Sequence, residues 1–171
     1  MSIAFALLMN NPDIVVLLDI DNTLFNTVKL KESNLTKFEL YDEVKETLKE
    51  LAKVATLGIL SQGEIAFQNK KLETTQIKNY FLSEHTHIAE FKIDVMQEIL
   101  SKYKGKAKVF FIDDWLDMLR AAKKTDPSVY TVWMKRGEYA HSQEKLSDFT
   151  PDAVVENMKE VISLIKVPRT K

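Results

Sequence analysis

Apolar residues along the chain fall into two kinds of run. Short unbroken runs, IVVLL (14–18), ATLGIL (55–60), AKVFFI (107–112) and VYTVWM (129–134), have the length and the Val/Ile/Phe content of strands buried on both faces. Between them lie stretches with helical spacing. In FELYDEVKETLKELAKV, Leu40, Val44, Leu48 and Leu51 form one stripe with charges opposite, which predicts a helix over 40–54. EIAFQNKKLETT predicts a helix from near Glu64, buried through Ile65, Phe67 and Leu72, and KIDVMQEILSKY and WLDMLRAAKK predict two more. A third strand fits around His85 to Ala89, and PDAVVENMKEVISLIK predicts a closing strand and helix. Apolar strands alternating with helices indicate a parallel sheet covered on both sides. The expected fold class is therefore α/β: a single doubly wound, Rossmann-like domain over 1–171, with a mostly parallel central sheet and helices on both faces.

Composition narrows the possibilities. A chain of 171 residues, 45% hydrophobic and 29% charged, is long enough for one core and short for two. Lys and Arg total 24 against 25 Asp and Glu, a net charge of -1, so no nucleic-acid patch and no anionic membrane partner is expected. The absence of cysteine excludes thiol catalysis, disulfides and cysteine zinc sites. The N-terminal run IAFALLM (3–9) lacks a basic start and a small-residue cleavage site, and is too short to span a bilayer. It is read as a short buried strand or helix of a cytoplasmic protein.

In an open parallel sheet, ligands bind beyond the C-terminal ends of the strands, where strand order reverses. After the first strand come Asp19 and Asp21, then Thr23; after the second come Ser61, Gln62 and Gly63; after KVFFI come Asp113 and Asp114, with Asp117 one turn on. Carboxylates converging on one edge repel each other unless a cation, a proton or a reaction offsets them. They suit Mg2+, a hard cation that takes oxygen ligands and pairs with phosphate. One carboxylate can attack phosphorus as a nucleophile, and a neighbour can protonate the leaving oxygen and later activate water. A hydroxyl and a lysine ammonium would hold the transferring oxygens as charge develops.

The order DxDxT, Ser, Lys, DD resembles the haloacid dehalogenase-like hydrolases, most of which are phosphatases. LLDIDNTLF matches their first motif at each defining position; GILSQG resembles the second, EFKIDVMQEIL the third and VFFIDDWLDM the fourth. The resemblance implies Asp19 as nucleophile, Asp21 as general acid/base and Lys92 as the lysine that stabilises the nucleophile and intermediate. It implies Asn22, Thr23, Ser61 and Gln62 around the phosphate. Asp19, the backbone carbonyl of Asp21, Asp113 and Asp114 would form the Mg2+ site, with either member of the acidic pair as the direct ligand. Lys92 is followed by Ile93 where the family often has proline, which leaves Lys70, Lys71 and Lys102 as substitutes. The dehalogenases of the family lack a carboxyl where this chain has Asp21, so phosphomonoester hydrolysis is the implied reaction.

Many such proteins carry a cap domain between these motifs. Here the stretch 24–39 is long enough for a flap only, so the site is expected to be capless, closed by a bulky phosphorylated substrate or by a second subunit. Two other functions fit parts of the pattern. A receiver domain also gathers aspartates, a hydroxyl and a lysine, but with its acidic pair after the first strand. A non-catalytic relative would keep the metal site and bind a partner through it. Other residues have simpler readings: Ser61 as a helix cap, His85 and His87 on one strand face, Trp133 and Phe110–Phe111 in the core, and KRG (135–137) as a solvated turn.

Overall fold

The computed structural model describes residues 13–166; the apolar run 3–9 lies outside them. In chain order the elements are β1 (Ile14–Leu18), α1 (Thr27–Glu32), α2 (Val44–Leu51), β2 (Thr56–Gln62), α3 (Ile65–Thr74), β3 (Thr86–Ala89), α4 (Lys92–Tyr103), β4 (Lys108–Asp113), α5 (Leu116–Thr125), β5 (Tyr130–Met134), α6 (Gly137–Ser142), β6 (Ala153–Val155) and α7 (Met158–Lys166). The six strands form one sheet in the order β3-β2-β1-β4-β5-β6, with every pairing parallel.

Alternation along β1 explains the layering. Val16 and Leu18 face a core shared with α2 (Val44, Leu48, Leu51), α3 (Leu72) and α7 (Met158, Val161, Ile165). Val15 and Leu17 face the opposite core, with Met96, Ile99 and Leu100 of α4 and Leu116 and Leu119 of α5. Successive strand side chains point to opposite faces, so a strand buried on both sides reads as an unbroken apolar run. Leu18→Ala, at a position with no exposed surface, would cost on the order of 2–5 kcal/mol.

Three local expectations are corrected. The predicted helix over 40–54 begins only at Val44, because 39–41 is held extended: Asn26 N–H donates to Glu39 O and Tyr41 N–H to Leu24 O, and Phe25 forms an antiparallel bridge with Leu40. In α3, Ile65 is exposed; the buried face carries Gln68, Lys71 and Leu72, because much of it meets a polar site instead of the core. Ser61 is the penultimate residue of β2 and caps nothing. Glu64 caps α3, its carboxylate accepting from Ala66 N–H (2.9 Å) and Phe67 N–H (2.7 Å).

Strand order reverses between β1 and β4, which lie side by side in register from Ile14–Lys108 to Leu18–Ile112. The crevice above that switch point is where a doubly wound sheet binds ligands. Among the described residues only α1 and a short connection occupy 24–39, so no cap domain covers the crevice from there. No helix among these residues is long and apolar enough to cross a membrane.

Candidate active site

The turn after β1 is pinned from below. Ile20, Leu24 and Phe25 are buried, and Leu24 and Phe25 N–H groups both donate to Ile20 O (2.9 and 2.8 Å). Ile20 enters the core and leaves the carboxylates on either side of it, Asp19 and Asp21, to the crevice. Asn22 takes a left-handed conformation (φ 56°), which asparagine tolerates better than most residues. Its side-chain amide donates to Asp114 Oδ2 (3.0 Å), tying the β1 turn to the β4 turn. Thr23 is fully buried, and its Oγ1 has no partner.

Lys92 opens α4 and reaches across the switch point. Its Nζ lies 2.7 Å from Asp19 Oδ1 and 2.5 Å from Asp113 Oδ2, and all three side chains are almost wholly buried. The Lys92 backbone N–H donates to Gln62 Oε1 (3.2 Å), so Gln62 supports the lysine. Of the alternative lysines, Lys102 pairs with Glu98 on the surface, Lys70 lies over the Phe38 ring, and Lys71 binds Asp21. Asp117 pairs with Arg120.

Burial and mutual repulsion set the electrostatics. Asp19 is pushed up to about 7, first by desolvation and then by the charges of Asp113 and Asp21, against the opposing pull of Lys92. Asp114 is pushed up to about 8 by desolvation and by Asp19 and Asp113. Desolvation raises Asp113 as well. Burial works against the Lys92 ammonium, yet the charges of Asp113 and Asp19 outweigh it and raise the group. Fully ionised, the cluster would hold more negative charge than one lysine neutralises.

A metal ion would relieve that excess. Asp19, Asp113 and Asp114 each offer an oxygen within 4.8 Å of the others, an all-oxygen donor set that fits a hard divalent cation. The hydrogen bonds distinguish the acidic pair. Asp113 has both oxygens engaged, Oδ1 by Trp115 N–H (2.9 Å) and Oδ2 by Lys92. Asp114 uses only Oδ2, and Asp19 only Oδ1. The open oxygens among the described residues therefore belong to Asp19 and Asp114. The backbone of Asp114 is fixed by Trp133 Nε1–H and the Gln143 amide, which donate to its carbonyl at 3.0 and 2.7 Å.

Gln68 and the burial of Arg136 carry no sequence signal. Ser61 is buried and receives a hydrogen bond from Gln68 Nε2 (3.2 Å), which also reaches Asp21. Arg136, read from sequence within a solvated turn, is buried: its guanidinium donates to the carbonyls of Asn22 (3.0 Å) and Thr23 and to Glu43 Oε1 (2.5 Å), and stacks on Tyr41. Two carbonyls turned toward one point outweigh the exposure that a charged residue near glycine suggests. Beside Asn22, a cleft of about 580 Å³ opens between α1 and α6, walled by Thr27, Val28, Lys31, Glu138 and Tyr139.

The whole architecture has counterparts among solved structures. A protein described as a haloacid dehalogenase-like hydrolase from Burkholderia xenovorans superposes with a TM-score of 0.74 over 90% of this chain and 97% of that one, at 19% identity. The chain has the haloacid dehalogenase-like fold. The HAD-hydrolase YfnB of Bacillus subtilis, in a magnesium-bound structure, matches with a TM-score of 0.69, 10% identity and 92% and 100% coverage. L-2-haloacid dehalogenase of Xanthobacter autotrophicus, with chloropropionic acid covalently bound, matches at 0.64, 13% identity and 89% and 98% coverage. No family model and no curated protein matches the chain. At these identities the likeness to haloacid dehalogenase-like proteins is one of fold.

Proposed function

We propose that this protein is a Mg2+-dependent phosphatase that hydrolyses a phosphomonoester through an aspartyl-phosphate at Asp19. The observation that carries this reading is the placement of Lys92 between Asp19 and Asp113, with the second carboxylate, Asp21, on the same turn. Lys92 binds Asp19 through Oδ1 and fixes the carboxylate that attacks. Asp19 attacks phosphorus and the bond to the leaving oxygen breaks, that oxygen taking a proton from Asp21. Water then attacks the aspartyl-phosphate, giving its proton to Asp21 and freeing Asp19 and phosphate. Ser61 and the Lys92 ammonium support the phosphoryl oxygens during transfer. Asp19 and Asp114 would hold Mg2+, which would supply charge neutralisation for the phosphoryl group. The cleft between α1 and α6 gives the leaving group room, and an open crevice suits a substrate large enough to exclude water itself.

The test is phosphate release from a small aryl phosphate, with Mg2+ and with chelator. Turnover that requires Mg2+ and falls by at least about 10³-fold in Asp19→Asn is the expected result. A fully active Asp19→Asn protein would remove the covalent mechanism. Mg2+ binding without turnover on any phosphomonoester would favour a binding role for the same site.

A further inference from the structure

Gln68 and Lys71 stand three positions apart on α3, so they project from one face of the helix. That face turns both residues inward: Gln68 is 1% exposed and Lys71 5%. Lys71 Nζ donates to both oxygens of Asp21, at 2.6 and 2.8 Å. Gln68 Nε2 lies 2.9 Å from Asp21 Oδ2, 3.2 Å from Ser61 Oγ and 2.8 Å from Gln62 O. Asp21 is thus gripped on both oxygens from a neighbouring element, and the same amide joins it to Ser61 at the end of β2.

Two features show that this grip is built for orientation. The Lys71 ammonium sits 5.2 Å from the centre of the Phe25 ring and 4.8 Å from that of Phe67, so aromatic faces fix it where it meets Asp21. Gln68 Oε1 is buried with no donor, because the amide turns its NH2 group to the three acceptors and leaves its oxygen unpaired. An unpaired buried oxygen is destabilising. A glutamine selected for packing alone would not carry that penalty.

We propose that Gln68 and Lys71 form a positioning pair that sets the orientation of the Asp21 carboxyl and couples it to Ser61. The proposal rests on Asp21 being the acid/base group of the phosphatase reading. Neither residue touches the reacting phosphorus; both act through Asp21. When Asp19 attacks and the ester bond breaks, the electron pair stays on the leaving oxygen, which takes its proton from Asp21. An alkyl leaving group depends on that proton. An aryl leaving group departs well without it.

The experiment compares kcat/KM for an alkyl phosphate and an aryl phosphate, with Mg2+, in the wild type, Gln68→Met and Lys71→Met. Gln68→Met keeps the length of the buried side chain and removes both the unpaired oxygen and the donations to Asp21, Ser61 and Gln62, so its folding is checked by denaturant titration beside the wild type. The expected result in both variants is a loss on the alkyl phosphate about 10-fold or more greater than on the aryl phosphate. An unchanged alkyl-to-aryl ratio in a folded Gln68→Met protein overturns the pair. Equal losses on both substrates would make Lys71 a phosphate ligand and overturn it also. A wild type that releases no phosphate from these or from any other phosphomonoester, phosphorylated macromolecules included, overturns the phosphatase reading itself, which separates the two failures.

Discussion

At the scale of single residues, the centre of the site is one ammonium between two buried carboxylates. Removing one partner of a buried ion pair leaves the other charges uncompensated. Lys92→Met is therefore expected to lower the unfolding free energy of the metal-free protein by about 3 kcal/mol, measured by denaturant titration in chelator. A loss below about 0.5 kcal/mol would mean that solvent or protons already neutralise Asp19 and Asp113. Asp19, Asp113 and Asp114 were legible in the sequence because carboxylates directly behind buried strands have few structural explanations. Lys92 could be suggested and not fixed, since a lysine at a helix start looks the same whether it faces water or a nucleophile. Gln68 was hidden, and Lys71 offered only as a substitute for Lys92, for another reason: on a helix whose buried face is itself largely polar, burial depends on what lies opposite.

At the scale of elements, the turn after β1 is held by parts of the chain that are remote in sequence. Arg136, between β5 and α6, clasps the carbonyls of Asn22 and Thr23, while Glu43 before α2 receives both Arg136 and the N–H of Met158 at the start of α7. Arg136→Met is expected to cost about 2–3 kcal/mol in thermal or chemical unfolding. It should also weaken Mg2+ binding measured by calorimetry, since the turn it holds carries Asp19 and Asp21. A variant equal to the wild type in both measurements would show that the clasp is dispensable. Helices and strands with long apolar periodicity, β1 and α4 above all, have the bounds that the pattern predicts. The start of α2 does not, because the Leu24 carbonyl accepts from Tyr41 N–H and Asn26 N–H donates to Glu39, holding 39–41 extended, and tertiary pairing overrides the stripe that includes Leu40.

At the scale of the whole molecule, the sheet concentrates negative charge at one point, and stability inherits its pH dependence. Asp19 and Asp114 rise from 3.8 to about 7 and about 8 on folding. The folded state therefore keeps protons that the unfolded chain releases. Their contribution is most favourable below the unfolded value and is lost as pH rises toward the folded values. Lys92, raised above its already high ordinary value, contributes evenly across this window. A bound divalent cation would remove the repulsion. The gap in Tm between Mg2+ and chelator is thus expected to widen from about pH 5 to about pH 8. A gap independent of pH, or one that narrows, would mean that the cation does not meet these carboxylates. The class of fold was legible from alternating strands and helices, but the order of strands was not: nothing local in IVVLL or KVFFI says that they lie side by side.

That adjacency also governs how the site comes into being during synthesis. Asp19 and Asp21 leave the ribosome before the rest of the cluster, just behind β1, whereas the acidic pair ends and follows β4, after β2 and β3 have been made. A nascent chain ending before β4 can pair β1 with β2 and still have Asp19 without Asp113, Asp114 or any docked place for Lys92. Non-local parallel pairing of this kind is slow to form. The carboxylate cluster is therefore complete only once β4 inserts beside β1, in one late step of the chain's maturation.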